Sequence, residues 1–284
     1  MATVPLLDVP PDRFFLIAGP CAVESAEVLD RTADALADAC ARLGIPLVFK
    51  SSYRKANRTA LSSFTGIGDE AGLALLAKTA ERTGLPAITD IHADEDAALA
   101  AQYVQALQIP AFLCRQTSLL LAAGATGLPV NVKKGQFLSP GAMRFAAEKV
   151  REPGGSEVWL TERGTTFGYT DLVVDFRGIP TMRATGCPVV MDCTHSLQQP
   201  NQASGVTGGR PALIETIARA AIATGADGLF IETHPAPAEA LSDGANMLPL
   251  DAMPALLERL VRLREAVASI DAATAGAHPA GVNA

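Results

Sequence analysis

The stretch Pro46-Leu-Val-Phe-Lys-Ser-Ser-Tyr-Arg-Lys-Ala-Asn-Arg-Thr59 changes character half-way along. Leu47, Val48 and Phe49 form a short apolar run after Gly44-Ile-Pro46, the pattern of a buried strand that follows the end of a helix. Lys50, Arg54, Lys55 and Arg58 come next, separated by two serines, a tyrosine, an alanine and an asparagine. A strand that opens at its C-terminal end into a basic, hydroxyl-rich loop can hold phosphate: lysine brings a point charge, arginine a planar fork that grips an oxyanion with two bonds. Taken alone, the run reads equally well as a solvated surface loop. Its weight comes from the rest of the chain, where the same unit recurs.

Upstream, Phe14-Phe-Leu-Ile-Ala-Gly19 reads as a first strand ended by Pro20-Cys21. Ser25 can cap a helix running to about Leu43, with apolar positions at three-to-four spacing and Gly44 to close it. Downstream, a helix over 69–83 closes at Gly84. Strands then begin near Pro86, Ala106, Pro129, Glu157, Pro188 and Gly228. Helices follow them near 94–105, 117–127, 140–151, 170–183, 211–224 and 250–267. Eight strands, each followed by a helix and with no break in composition, predict a single-domain α/β fold, a (β/α)₈ TIM barrel over residues 1–270. An open doubly wound sheet needs no count of eight and often carries a glycine-rich phosphate fingerprint after its first strand, which this chain lacks. The Ala/Gly/Pro-rich tail, 271–284, is expected to be disordered.

Composition narrows the function. The formal charge of −7 argues against nucleic acid as a partner and makes a local basic cluster stand out. The five scattered cysteines form no CxxC pair, which suits reduced thiols in a cytosol. The first residues show no basic and apolar leader pattern, and no uncharged apolar run is long enough to span a bilayer. A cytoplasmic protein without membrane contact is therefore expected.

In a barrel of this kind the active site lies at the C-terminal ends of the strands. The polar residues there are Cys21, Lys50, Lys55, Asp90, His92, Gln108, Arg115, Asn131, Lys133, Arg163, Asp192, His195, Glu232, His234 and Asp243. Asp90 and His92 share a face of an extended segment, as do Asn131 and Lys133, while Lys134 points the other way. Two sets separate by chemistry. Lys50, Lys55, Lys133 and Arg163, with Arg58 and Arg115 nearby, would repel one another without anionic ligands, so at least one doubly charged phosphorylated substrate is expected, with room for two. Cys21, His195, Glu232 and Asp243 make a mixed S/N/O set suited to Fe(II), Zn(II) or Mn(II). Read alone, Cys21 is by default a small buried hydrophobe, the reading also given to Cys40, Cys114 and Cys187.

Several of these residues sit in longer motifs. Ala18-Gly-Pro-Cys-Ala-Val-Glu-Ser25, Phe49 to Thr59, Thr89-Asp-Ile-His92, Gln108 to Gln116, Asn131-Val-Lys-Lys-Gly-Gln-Phe137, Glu162-Arg-Gly164 with Phe167-Gly-Tyr169, Asp192-Cys-Thr-His195 and Phe230-Ile-Glu-Thr-His-Pro235 together resemble the 3-deoxy-D-manno-octulosonate 8-phosphate synthase family, over about residues 14–270. The resemblance implies condensation of phosphoenolpyruvate with arabinose 5-phosphate and water, for lipopolysaccharide biosynthesis, by a cytoplasmic tetrameric barrel. By matching position it implies that Lys50, Lys55, Lys133 and Arg163 hold phosphoenolpyruvate. Asn57, Asp90, His92 and Gln108 would face the aldose and its surroundings. Arg58 and Thr59, where the family often has serine, would clamp the second phosphate from a neighbouring subunit. It also implies a divalent transition metal on Cys21, His195, Glu232 and Asp243, since metal-independent members carry Asn in place of the cysteine. Lys55-Ala-Asn-Arg-Thr59 departs from the Lys-Pro-Arg-Thr-Ser of the related synthases that use erythrose 4-phosphate. Those synthases, and an inactive barrel that merely binds a sugar phosphate, are the alternatives. Residues 196–210, rich in Gly, Gln and Asn, are expected to form a lid.

Overall fold

A computed structural model of the chain describes residues 5–57, 62–167, 171–199 and 208–275. Arg58, Thr59, Tyr169, the central part of the expected lid (200–207) and the end of the tail (276–284) lie outside the described residues.

The eight expected strands are present: β1 (Phe15–Gly19), β2 (Leu47–Lys50), β3 (Ala87–Asp90), β4 (Ala106–Ile109), β5 (Val130–Lys133), β6 (Val158–Glu162), β7 (Val189–Asp192) and β8 (Gly228–His234). Each pairs in parallel with the next, and β1 closes on β8 with Phe15 opposite Gly228 and Gly19 opposite Glu232. Closure removes both sheet edges. The interstrand helices are α1 (Ala26–Leu43), α2 (Asp69–Thr83), α3 (Asp94–Ala100), α4 (Thr117–Ala125), α5 (Met143–Arg151), α6 (Gly178–Arg183) and α7 (Ile214–Ala223), and α8 (Met253–Ala275) follows the last strand. The chain folds as the single-domain (β/α)₈ barrel expected.

Local chemistry explains the boundaries. Ser25 Oγ accepts the Val28 N–H at 3.2 Å and caps α1. Gly44 and Gly84 end α1 and α2 in the left-handed region, at φ 64° and 68°, where a side chain would be strained. α6 begins at Gly178 rather than near 170. Pro180 is tolerated only in a first turn, and Leu172–Val173 instead form a short ribbon with Thr165–Thr166. α8 runs to Ala275, so residues 271–275 are helical where the expected tail was to begin. Their sequence, Asp-Ala-Ala-Thr-Ala, is rich in alanine, the best helix former. The flanks of the expected lid, Gln198–Gln199 and Gly208–Gly209, form an antiparallel pair.

Period-two alternation divides the core into two shells. Outward-facing residues such as Leu16, Phe49, Leu107, Val132 and Leu160 pack against the helices. Inward-facing Phe15, Ile17, Val48, Ile88, Ala106, Trp159, Val190 and Phe230 fill the barrel, and Leu6, Leu7 and Val9 plug its N-terminal end. Trp159 Nε1 and the Leu6 backbone N–H each bond to a Glu157 carboxylate oxygen, tying the plug to the barrel floor. Among the described residues no helix is long and apolar enough to cross a membrane.

Candidate active site

The inward face turns polar toward the C-terminal ends of the strands. Two residues beyond Val48, Ile88, Ala106, Trp159, Val190 and Phe230 come Lys50, Asp90, Gln108, Thr161, Asp192 and Glu232, so one alternation carries both the filling and the site. β1 ends in Gly19 instead. A Cβ there would lie 2.0 Å from the Lys50 carbonyl oxygen, so the backbones of β1 and β2 approach as only glycine permits.

These side chains contact one another around the mouth. Thr161 Oγ1 donates to Asn131 Oδ1 (2.5 Å), and Asn131 Nδ2 to Gln108 Oε1 (2.9 Å). Gln108 Nε2 and Ser52 Oγ donate to the two oxygens of Asp90. Lys50 Nζ donates to Ser52 Oγ (2.9 Å) and Glu232 Oε1 (2.8 Å). His195 Nε2 faces Glu232 Oε2 at 3.6 Å, and His195 Nδ1 bonds Asp192 Oδ2 (2.9 Å), which also accepts from Lys133 Nζ (2.7 Å). The run passes through β6, β5, β4, β3, β2, β8 and β7 and returns to β5. Lys133 Nζ also sits 3.5 Å from the centre of the Phe230 ring.

The cations converge as expected, but not by confronting one another. Lys50 and Lys133 are each neutralised by a buried carboxylate, so mutual repulsion alone does not demand a ligand. Among the described residues, Lys55 and Arg163 carry no ion pair. Arg163 Nη2 bonds the His195 carbonyl (3.0 Å) and Gln198 Oε1 (3.1 Å), while its buried Nη1 has no hydrogen-bond partner among the described residues. A cavity of about 220 Å³ opens between these groups. It is lined by Lys50, Lys55, Asn57, Asp90, His92, Gln108, Lys133, Gln136, Arg163, His195, Gln198, Glu232 and Asp243, among others.

Electrostatics inside the cavity favours the charged forms. Burial works against ionisation of Asp90, but Lys50 and Lys55 hold its carboxyl well below the usual range. His195 and Lys133 do the same for Asp192, and Lys50 and His195 for Glu232, again against burial. Burial lowers the Lys133 ammonium despite Asp192. For Lys55, burial is outweighed by Cys21, Glu232, Asp90 and Asp243, and its pKa rises. Burial, then the charge of Glu232, pushes the Cys21 thiol up to about 12, so the carboxylates are what hold Lys55 charged near neutrality. Burial also lowers His92, which favours its neutral form.

The four expected metal ligands come together as two pairs. Cys21 Sγ lies 3.1 Å from Ser242 Oγ and 3.5 Å from Asp243 Oδ2, and His195 Nε2 lies 3.6 Å from Glu232 Oε2. Among the described residues no three His, Cys, Asp or Glu side chains already form a group that could hold an ion. The donor set nonetheless fits a divalent transition ion. Glu232 Oε2 is buried without a hydrogen bond among the described residues, and Asp192 takes the Nδ1 side of His195, leaving Nε2 as the ring nitrogen that faces Glu232. Asp243 is the one non-glycine among the described residues with positive φ (49°), a strained backbone held at the cavity wall.

Arg115 does not join these residues. It is exposed after the turn Ala111–Leu113, where Cys114 takes the buried position, and it does not line the cavity. Sequence reasoning passed over Ser52, Thr161, Gln136 and Gln198, and gave Asp192 no role. Alternation could have found Ser52 and Thr161, each two residues from an inward-facing neighbour. Gln136 lies in a loop and Gln198 in a two-residue strand too short to show a period.

A closed parallel barrel with buried cations and carboxylates at its C-terminal mouth is the frame of an enzyme that handles small anionic substrates. The chain belongs to the DAHP synthetase I family, whose model matches residues 10–269. Among its relatives are three proteins named 2-dehydro-3-deoxyphosphooctonate aldolase. The first, from Nitratidesulfovibrio vulgaris (strain DP4), is 53% identical over 251 residues, covering 88% of this chain and 92% of the relative. That from Acidithiobacillus ferrooxidans is 50% identical over 258 residues, 91% and 92% of the two chains. That from Koribacter versatilis is 51% identical over 258 residues, 90% and 92%. This is the family of the octulosonate 8-phosphate synthases, so the resemblance read from the motifs is borne out.

Proposed function

We propose that the chain condenses phosphoenolpyruvate with D-arabinose 5-phosphate and water to give 3-deoxy-D-manno-octulosonate 8-phosphate and phosphate. The observation that carries this reading is Arg163: a buried guanidinium that finds no carboxylate partner among the described residues, nor any partner there for its Nη1, at a cavity also lined by Lys55 and Lys133. Such a group suits an incoming phosphate or carboxylate. The relatives' names support the eight-carbon product over the seven-carbon one, and so does Asn57 at the cavity where the erythrose 4-phosphate enzymes have a different loop.

In this reading Lys50, Lys55, Lys133 and Arg163 hold phosphoenolpyruvate. Asn57, Asp90, His92, Gln108 and Asn131 shape the aldose side. Arg58 and Thr59 clamp the second phosphate, and Arg115 serves at the outer rim. The new bond joins C3 of phosphoenolpyruvate to the aldehyde carbon, whose oxygen takes up a proton. Water adds at C2 and yields a proton, and the tetrahedral intermediate then loses phosphate. The cations stabilise charge as it builds on phosphate and carboxylate. Because Lys50 and Lys133 already pair with Glu232 and Asp192, substrate enters by exchange of partners, which frees those carboxylates beside His195. Cys21, His195, Glu232 and Asp243 would hold a divalent transition ion, which supplies Lewis acidity at that end of the cavity when bound. We infer a cytoplasmic homotetramer, on the strength of the family resemblance.

The test is phosphate release by the purified protein from phosphoenolpyruvate with arabinose 5-phosphate or erythrose 4-phosphate. Turnover with the five-carbon sugar is expected. Preference for the four-carbon sugar would move the chain to the other branch of the family, and binding without turnover would indicate an inactive barrel.

A further inference from the structure

Lys134 follows Lys133 at the end of β5 but takes the opposite face, away from the cavity. Its side chain is fully buried, and Glu162 Oε1 lies 3.3 Å from its ammonium. The ammonium also donates to the carbonyls of Gly135 (3.4 Å), Leu138 (3.4 Å) and Gly164 (3.3 Å) and to Thr165 Oγ1 (3.3 Å). An ammonium has only three protons, so these acceptors share them. Glu162 Oε1 accepts the backbone N–H groups of Arg163 (2.9 Å) and Gly164 (2.7 Å). The pair therefore grips the two segments leaving β5 and β6, and the bonds to Glu162 Oε1 fix the backbone that presents Arg163. Neither residue lines the cavity. A buried ion pair is a poor choice if packing were its sole task, since apolar side chains of the same size stabilise a core as well or better.

We propose that Lys134, acting with Glu162, is a positioning residue for Arg163: it fixes where the guanidinium enters the cavity, and hence the affinity for the phosphorylated enol acid. This rests on the reading of the cavity as a phosphoenolpyruvate site. The test uses Lys134→Met and the double variant Lys134→Met/Glu162→Gln, which leaves no lone charge in the core. Calorimetric titration with phosphoenolpyruvate is expected to show binding weakened about tenfold or more, the range typical of residues that orient a ligand-binding group. The KM for the aldose phosphate should stay within about twofold, a split that general loosening of the fold would not produce. In an Arg163→Ala background the same substitutions should add almost nothing, because the group they position is gone. Folded double variant that binds phosphoenolpyruvate like wild type would overturn the inference, as would a fully additive loss on top of Arg163→Ala. Wild-type protein that fails to bind phosphoenolpyruvate would instead sink the functional reading, and this inference with it.

Discussion

Lys133 places its ammonium 2.7 Å from Asp192 Oδ2, and both side chains are buried at the end of the barrel. Asp192 keeps other partners, the backbone N–H groups of Thr194 and His195 and the His195 ring. Lys133→Ala should therefore yield a folded protein that is less stable by ~3 kcal/mol, the scale of a broken buried pair. Its turnover should fall about a hundredfold, the effect of losing one charged contact to the transition state. Steady-state kinetics beside a denaturant titration check both numbers. Near-normal turnover would mean that Lys133 serves Asp192 and not substrate.

Acid should destabilise the barrel through Asp90. Its folded pKa lies below its unfolded value, since Lys50 and Lys55 override burial. Below the ordinary carboxylate value of about 4 the unfolded chain takes up a proton that the folded chain refuses. The stabilisation is thus complete above that pH and is lost as pH falls toward the folded pKa. Asp90→Asn should start less stable at pH 7 and lose less on acidification. Unfolding midpoints from pH 7 to 3 compare the slopes, and parallel curves would remove Asp90 as the cause.

Metal dependence is expected of the wild type: a chelator should abolish phosphate release, and a divalent transition ion should restore it. Cys21→Ala should retain less than about a tenth of the wild-type metal content by elemental analysis, since a thiolate is the strongest ligand in the set for such ions. Cys21→Asn should keep some activity that no longer depends on added ion, because an amide can still hydrogen-bond water. Chelator-resistant wild-type enzyme containing no metal would eliminate the site.

Gly19→Ala should be severe. The added methyl would meet the Lys50 carbonyl at 2.0 Å, and neither strand can give way without breaking the β1–β2 register. A loss of about 3 kcal/mol or more is expected. A melting temperature within about 2 °C of wild type would show that the strands can part.

The barrel was legible because eight strand–helix units recur, and six of the strands repeat the same change from apolar to polar on one face. The same alternation separated Lys133 from Lys134 before any geometry was known. What could not be read was partnership. Lys50 meets Glu232 from 182 positions away, and Lys133 meets Asp192 from 59. Cations that a linear reading takes as awaiting ligands are already compensated by residues the chain delivers from other strands. The place of Arg115 outside the cavity was illegible for a related reason: a single tight turn after β4 decides which way it faces, and no period governs a turn.

The run of hydrogen bonds around the barrel mouth has a bearing on how such a sequence can drift. Most of its donors and acceptors depend on neighbours for orientation, so replacing one re-partners the next. Thr161 and Ser52 do not touch, yet both are linked through Asn131, Gln108 and Asp90. Substitutions at these two hydroxyls should therefore be epistatic, with a double variant departing from the sum of the singles. Natural variants at the mouth would then be inherited as compatible sets, while the outward-facing residues behind them remain free to change one at a time.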